Sequence, residues 1–210
     1  MNALLKFLER TSLLGGTILI ALAGFAWIGG IAHSRSAVAD FEQVRDMAIP
    51  AADQRSWSEQ RKAAYQHALS RETGNTLAIL RIESAGIEVP VFDSTSKTAL
   101  NRGSGHVAGT ALPGTRGNTA IAGHRDGFFR GLKNIGVGAE IELATLHGEQ
   151  KFRVSEILIV DPLDVSVLSP TDEKMITLIT CYPFYFVGPA PERFIVRATP
   201  YNSMTTTGDR

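Results

Sequence analysis

The sequence predicts a mostly β chain in which eight short strands close into a small barrel, joined by short helices and preceded by an N-terminal transmembrane helix. Three observations lead there. The run Leu13–Ala32 holds 20 residues and no charge. From Thr76 onward, short β-branched and apolar runs alternate with Gly, Pro and Asn turn signals. Only brief helical turns fit between those runs, and eight strands so closely connected suit a closed barrel.

Residues 1–10 carry Lys6 and Arg10 and form a short cytoplasmic N-terminus ahead of a transmembrane signal-anchor over 11–33. As a helix, Leu13–Ala32 extends about 30 Å, the thickness of a bilayer's hydrocarbon core, with Trp27 near its outer interface. Ala37-Val38-Ala39 has the small-residue pattern of a signal-peptide cleavage site, but the apolar run exceeds the usual length, which favours an uncleaved anchor in the lipid bilayer. Arg35 and Arg45 beyond the span nearly balance Lys6 and Arg10, so charge alone does not set the orientation.

Residues 34–75 read as a helical stalk or linker. A helix over Ala37–Met47 is cut off by Pro50. A second, capped by Ser56 or Ser58 with Glu59 in its first turn, runs to Leu69. Its residues Ala64, Tyr65, Ala68 and Leu69 recur at helical spacing and form a stripe suited to packing on the next domain.

The barrel is expected over 76–201, with strands at Thr76–Ile82, Ile87–Phe92, Gly105–Gly109, Thr119–Gly123, Glu140–Leu143, Lys151–Val160, Met175–Thr180 and Arg193–Thr199. Ser94–Asn101 and Phe128–Asn134 are helical turns between them. A polar tail, 202–210, ends the chain.

Composition narrows the function. Lys+Arg and Asp+Glu both number 21, so no general field draws the protein to nucleic acid. No spaced Cys/His cluster marks a zinc or other metal site, and no Gly-rich loop marks a nucleotide cofactor. The single cysteine, Cys181, excludes an intrachain disulfide.

Cys181 stands where the run Met175–Thr180 stops and an aromatic, Pro-rich loop begins. A free cysteine there is either a small buried hydrophobe or a reactive thiol. Two further residues favour the thiol. Arg193 opens the following strand and comes close to Cys181 if the strands are neighbours; His124 also follows an apolar strand and precedes a turn. Strand ends on a rigid sheet are common places for chemistry. The loop's Tyr182, Phe184, Tyr185 and Phe186 either wall an apolar groove or cap the core.

These residues carry a family resemblance. Thr177-Leu-Ile-Thr-Cys181 resembles the T-L-x-T-C signature of sortases, Ala122-Gly-His124 their histidine segment, and Arg193 stands where their arginine does. The similarity runs from about Leu77 to Ala198 and takes in Gly105-His-Val-Ala-Gly-Thr-Ala-Leu-Pro-Gly114. Gly123-His-Arg-Asp-Gly-Phe-Phe129 together with Thr180-Cys-Tyr-Pro-Phe184 looks most like class D sortases.

The resemblance implies an eight-stranded sortase-like closed β-barrel outside the cytoplasmic (inner) membrane, anchored by a single pass. It implies catalytic roles for Cys181, His124 and Arg193, and substrate-binding roles for His106, Thr180 and Tyr182. The substrates it implies are secreted proteins carrying a C-terminal LPXTG-like sorting signal. The acceptor is an amine of the cell envelope or of a pilin-type protein, and no cofactor is expected. Two rivals stay open: a cysteine peptidase that releases surface proteins to water, and an inactive peptide-binding barrel. An L,D-transpeptidase is disfavoured because its Ser-His-Gly-Cys run is absent.

Overall fold

Turn chemistry and strand periodicity combine at the first hairpin. β1 (Thr76–Ile82) and β2 (Ile87–Phe92) run antiparallel with Ile82 opposite Ile87. A 3-10 turn over Glu83–Ala85 joins them and ends at Gly86, whose φ of 60° lies in the left-handed region that favours glycine. The computed structural model describes residues 52–185 and 188–201. The expected membrane anchor 11–33, the helix expected at Ala37–Met47 and the tail 202–210 lie outside them. Among the described residues no helix is long and apolar enough to cross a membrane.

From β2 the chain passes through α2 (Lys97–Arg102), capped by Ser96, into β3 (Ser104–His106), which lies parallel to β2. This strand is shorter than the expected Gly105–Gly109. Val107 still donates to the Ala120 carbonyl at 2.9 Å, but the chain then turns away through Gly109 at φ 85°. β4 (Asn118–Ala122) pairs with β3, then β5 (Glu140–Thr145) and β6 (Gly148–Val160) follow, and finally β7 (Met175–Tyr182) and β8 (Glu192–Pro200). The order around the sheet is β1-β2-β3-β4-β7-β8-β6-β5, and β5 pairs with β1 to close the barrel. Eight strands and closure are as the strand pattern predicts. Closure leaves no sheet edge unpaired.

Alternation fills the interior. Leu80, Ile82, Val89, Val91, Ile121, Ile141, Leu143, Ile176, Leu178 and Val196 are buried in one core. Helical turns expected at Ser94–Asn101 and Phe128–Asn134 appear as α2 and as a 3-10 helix over Phe128–Asn134, the latter burying Phe129 and Leu132.

α1 (Glu59–Leu69) begins at Ser58, whose hydroxyl accepts from the Arg61 N–H at 3.2 Å, so of the two serines it is Ser58 that caps. The helix packs on the turn after β4. Trp57 and Tyr65 meet Phe128 edge-on, with ring centroids 4.9 and 6.0 Å away. Of the expected stripe, Ala68 is buried, whereas Leu69 is exposed.

Candidate active site

Register brings three of the sequence-derived residues together. In the antiparallel pair β7/β8, Cys181 is directly opposite Arg193, so both side chains emerge on one face. On the other side of β7 lies β4, running parallel, with Ala122 beside Ile179. The Gly123 N–H still donates to the Ile179 carbonyl at 3.1 Å. One residue further, that register sets His124 level with Cys181. The thiol thus lies on the middle strand of three, with an imidazole-bearing turn on one side and a guanidinium on the other. Cys181 is half-buried.

The histidine turn is held at several points. Thr180 is buried, and its hydroxyl donates to the Gly123 carbonyl at 2.8 Å. The His124 carbonyl accepts the N–H groups of Gly127 and Phe129 at 3.1 and 3.2 Å. Gly123 admits Phe129 beneath the turn, for a Cβ there would lie 2.7 Å from the Phe129 ring. Burial, and secondarily the Arg61 cation, push the His124 imidazole down to about pKa 4, with Asp126 opposing them. At neutral pH the ring is therefore uncharged and able to accept a proton.

Arg193 is half-buried, and its Nη1 donates to the Glu192 and Ala190 carbonyls at 3.0 and 3.4 Å. These bonds hold the guanidinium at the mouth of the β7–β8 loop. Tyr182 stacks on Phe194 and meets Phe184 edge-on, both at 6.0 Å, while Phe184 joins the core. The start of the loop therefore caps the barrel. Tyr185 stands outside, 73 % exposed, and its hydroxyl accepts from Lys133 at 3.1 Å. Arg125 donates to the Gly188 carbonyl at 2.9 Å and so links the histidine turn to the cysteine loop. Phe186 lies outside the described residues.

The three residues expected to bind substrate are placed differently. Tyr182 and Thr180 flank Cys181 along β7, packed against the core and bonded to Gly123 respectively. His106 is not part of the cluster. It is buried opposite Ile121, which is level with Leu178, about 10 Å along the strand from Cys181. Its Nε2 lies 3.0 Å from the Ala111 carbonyl and 3.1 Å from the Thr110 hydroxyl, tying down the loop that follows β3.

Sequence reading missed Arg61 and Asn101. Arg61 bonds Asp126 and Asn101 from 65 and 40 residues away, and no local pattern carries that. Among the described residues no group of three or more His, Cys, Asp or Glu is placed to hold a metal ion. A cavity of about 800 Å³ between Arg81, Glu88, Phe128 and Glu142 includes none of Cys181, His124 or Arg193.

Comparison with known proteins decides the family. The sortase domain profile matches residues 80–201, more than half of the chain and the whole of the Cys181 cluster. The chain belongs to the sortase family. It is 35 % identical to Sortase D of Bacillus subtilis over 126 residues, covering 60 % of this chain and 64 % of that protein. It is 30 % identical to Sortase A of Listeria monocytogenes over 106 residues, covering 49 % and 47 %. The chain thus spans less than two thirds of the length of these sortases.

Among solved structures, the Clostridium perfringens sortase D5 transpeptidase superposes with a TM-score of 0.57 at 29 % identity, covering 71 % of this chain and 92 % of that one. Sortase A of Corynebacterium diphtheriae gives 0.58 at 26 %, covering 80 % and 85 %. The class D character expected from the motifs agrees with the Bacillus and Clostridium relatives. α1 and Arg61 fall outside the matched span 80–201.

Proposed function

We propose that this sortase is a membrane-anchored cysteine transpeptidase that cleaves an LPXTG-like sorting signal after Thr and transfers the acyl group to an amine. The observation that carries the reading is the register that sets Cys181 level with His124, in the turn just beyond β4, and opposite Arg193 on β8. The substrates are secreted proteins with a C-terminal sorting signal, and the acceptor is a cell-envelope or pilin-type amine. The uncharged run Leu13–Ala32 supports anchoring with the barrel outside the cytoplasmic membrane.

Neutral His124 takes the Cys181 proton as Sγ attacks the carbonyl carbon of the scissile peptide. The carbonyl π electrons move to oxygen, and the Arg193 guanidinium stabilises that oxyanion. When the oxyanion collapses, the C–N bond breaks and the imidazolium gives its proton to the departing amine. A thioester on Cys181 remains. The acceptor amine then attacks it, His124 removes the excess proton from the new amide nitrogen, and the thiol is restored. A thioester suits this task because it is stable enough to wait and reactive enough for an amine.

The test is product analysis with an LPXTG-like peptide, with and without an added amine. An amide product that requires the amine, together with a chloromethyl-ketone peptide label lost in Cys181→Ala, upholds transpeptidation. Hydrolysis unchanged by the amine would make it a cysteine peptidase. Reaction of Cys181 only after denaturation would remove the enzyme reading. For the anchor, a mature N-terminus at Asp40 would establish cleavage after Ala39 instead.

A further inference from the structure

Arg61 has a 14 % exposed side chain, the least exposed cation among the ion pairs of the described residues. Burying a guanidinium is costly unless charge and hydrogen bonds offset it, so such a group needs a reason beyond helix stability. Its Nη2 donates to Asp126 at 2.7 Å and its Nη1 to Asn101 at 2.8 Å. Asp126 follows His124 by two residues, and Asn101 belongs to α2. A Cβ built on Gly127 would lie 3.4 Å from Arg61 Cδ and 3.6 Å from His124 Cβ, so arginine stem and histidine flank the same glycine. The Trp57–Phe128 contact seats the helix on this turn a second time.

We propose that Arg61 is a positioning residue for His124, clamping the turn that carries the imidazole to α1 and α2, so that the helix preceding the family-matched domain is a working part of the active site. What His124 does rests on the transpeptidase reading above; where Arg61 holds it does not.

A planar fork bonded to two separate elements fixes the turn in direction as well as distance, which a lysine's single charged head does not. Besides Arg61 from α1, Arg125 and Asp126 belong to the histidine's own turn, Cys181 of β7 is level with it by register, and Arg193 of β8 lies opposite Cys181. Two of these set its charge in opposite senses. Arg61 favours the neutral ring, and Asp126 favours the imidazolium. The pair Arg61–Asp126 therefore balances the two charge states through which a shuttling imidazole must pass.

The experiment is NMR titration of the histidines in the full chain in detergent, with the His124 signal identified by its loss in His124→Gln. Arg61→Met should raise the His124 pKa, because the cation that disfavours the charged ring is gone and the Asp126 carboxylate is left behind. Asp126→Asn should leave it at or below the wild-type value, because the guanidinium is left behind. Arg61→Lys should titrate near wild type yet lower kcat on the sorting peptide about tenfold, since charge remains and the fork is lost.

In kcat/KM the acid limb should move to higher pH in Arg61→Met. If Arg61→Met and Asp126→Asn leave the titration where it was, or move it in the same direction, Arg61 is only a structural tie and the proposal is overturned. Should Arg61→Met not fold, a raised pKa in Asp126→Asn, or full kcat in Arg61→Lys, overturns it equally. A wild-type protein inactive on every sorting peptide would end the transpeptidase reading. Opposite shifts in the titration would still uphold the clamp.

Discussion

Acid should weaken this fold through His124 specifically, and the size of the effect follows from its surroundings. The unfolded imidazole titrates near 6.5, whereas burial and the Arg61 cation bring the folded one down to about 4. Between those values the unfolded chain binds a proton that the folded chain refuses, so the free energy of unfolding rises with pH across the window. Stability contributed by the neutral imidazole is complete above about pH 6.5 and is lost as pH falls toward 4. At about 1.4 kcal/mol per pH unit the full window amounts to a ceiling of roughly 3 kcal/mol, with roughly 2–3 lost by pH 4.5.

The perturbation that isolates it is His124→Gln, which removes the titration while leaving every carboxylate in place. Urea unfolding of both proteins at pH 7 and pH 4.5 gives the difference of differences, in which the carboxylate contributions cancel. Wild type should lose roughly 2–3 kcal/mol more than His124→Gln. If the two lose stability in parallel, the imidazole is not held neutral, and both its environment and the proton-accepting role built on it are misread.

Four substitutions at three positions probe the same site through other groups. Arg193→Ala should lower kcat about 10²–10³-fold on the sorting peptide without unfolding the protein, and Arg193→Lys should restore little, because the planar fork is lost; near wild-type kcat in a folded Arg193→Ala protein would remove Arg193 from the chemistry. Thr180→Val keeps the shape but strips the hydroxyl from the Gly123 carbonyl, so a loss of about 1–3 kcal/mol in denaturant unfolding is expected, with unchanged stability counting against that bond. Gly123→Ala drives a methyl to 2.7 Å from the buried Phe129 ring and should cost about 1–3 kcal/mol, read as a lowered melting temperature.

The sequence by itself determined most of the elements and singled out the candidate residues of the site. Period-two alternation and glycine-bearing turns are local signals, and they located Ile87–Phe92 with its bounds and the helical turn at Phe128–Asn134. They also marked Cys181, His124 and Arg193 as groups at the ends of apolar strands, in an order that resembles the sortases. Where local pattern was weakest, as in the glycine-rich segment after Gly105, the strand came out shorter than expected, because Gly109 turns the chain while Val107 is still paired.

Tertiary structure alone decided how those groups face one another. The β4–β7 and β7–β8 registers that flank the thiol are set by closing the barrel over its core, and no single strand carries them. The same closure gave Thr180 to the Gly123 carbonyl and His106 to the Thr110–Ala111 loop. It also brought Arg61 against the histidine turn across 65 residues to Asp126. A largely shielded cation and its partners are chosen by which elements pack together, and that choice is made only when the whole barrel forms.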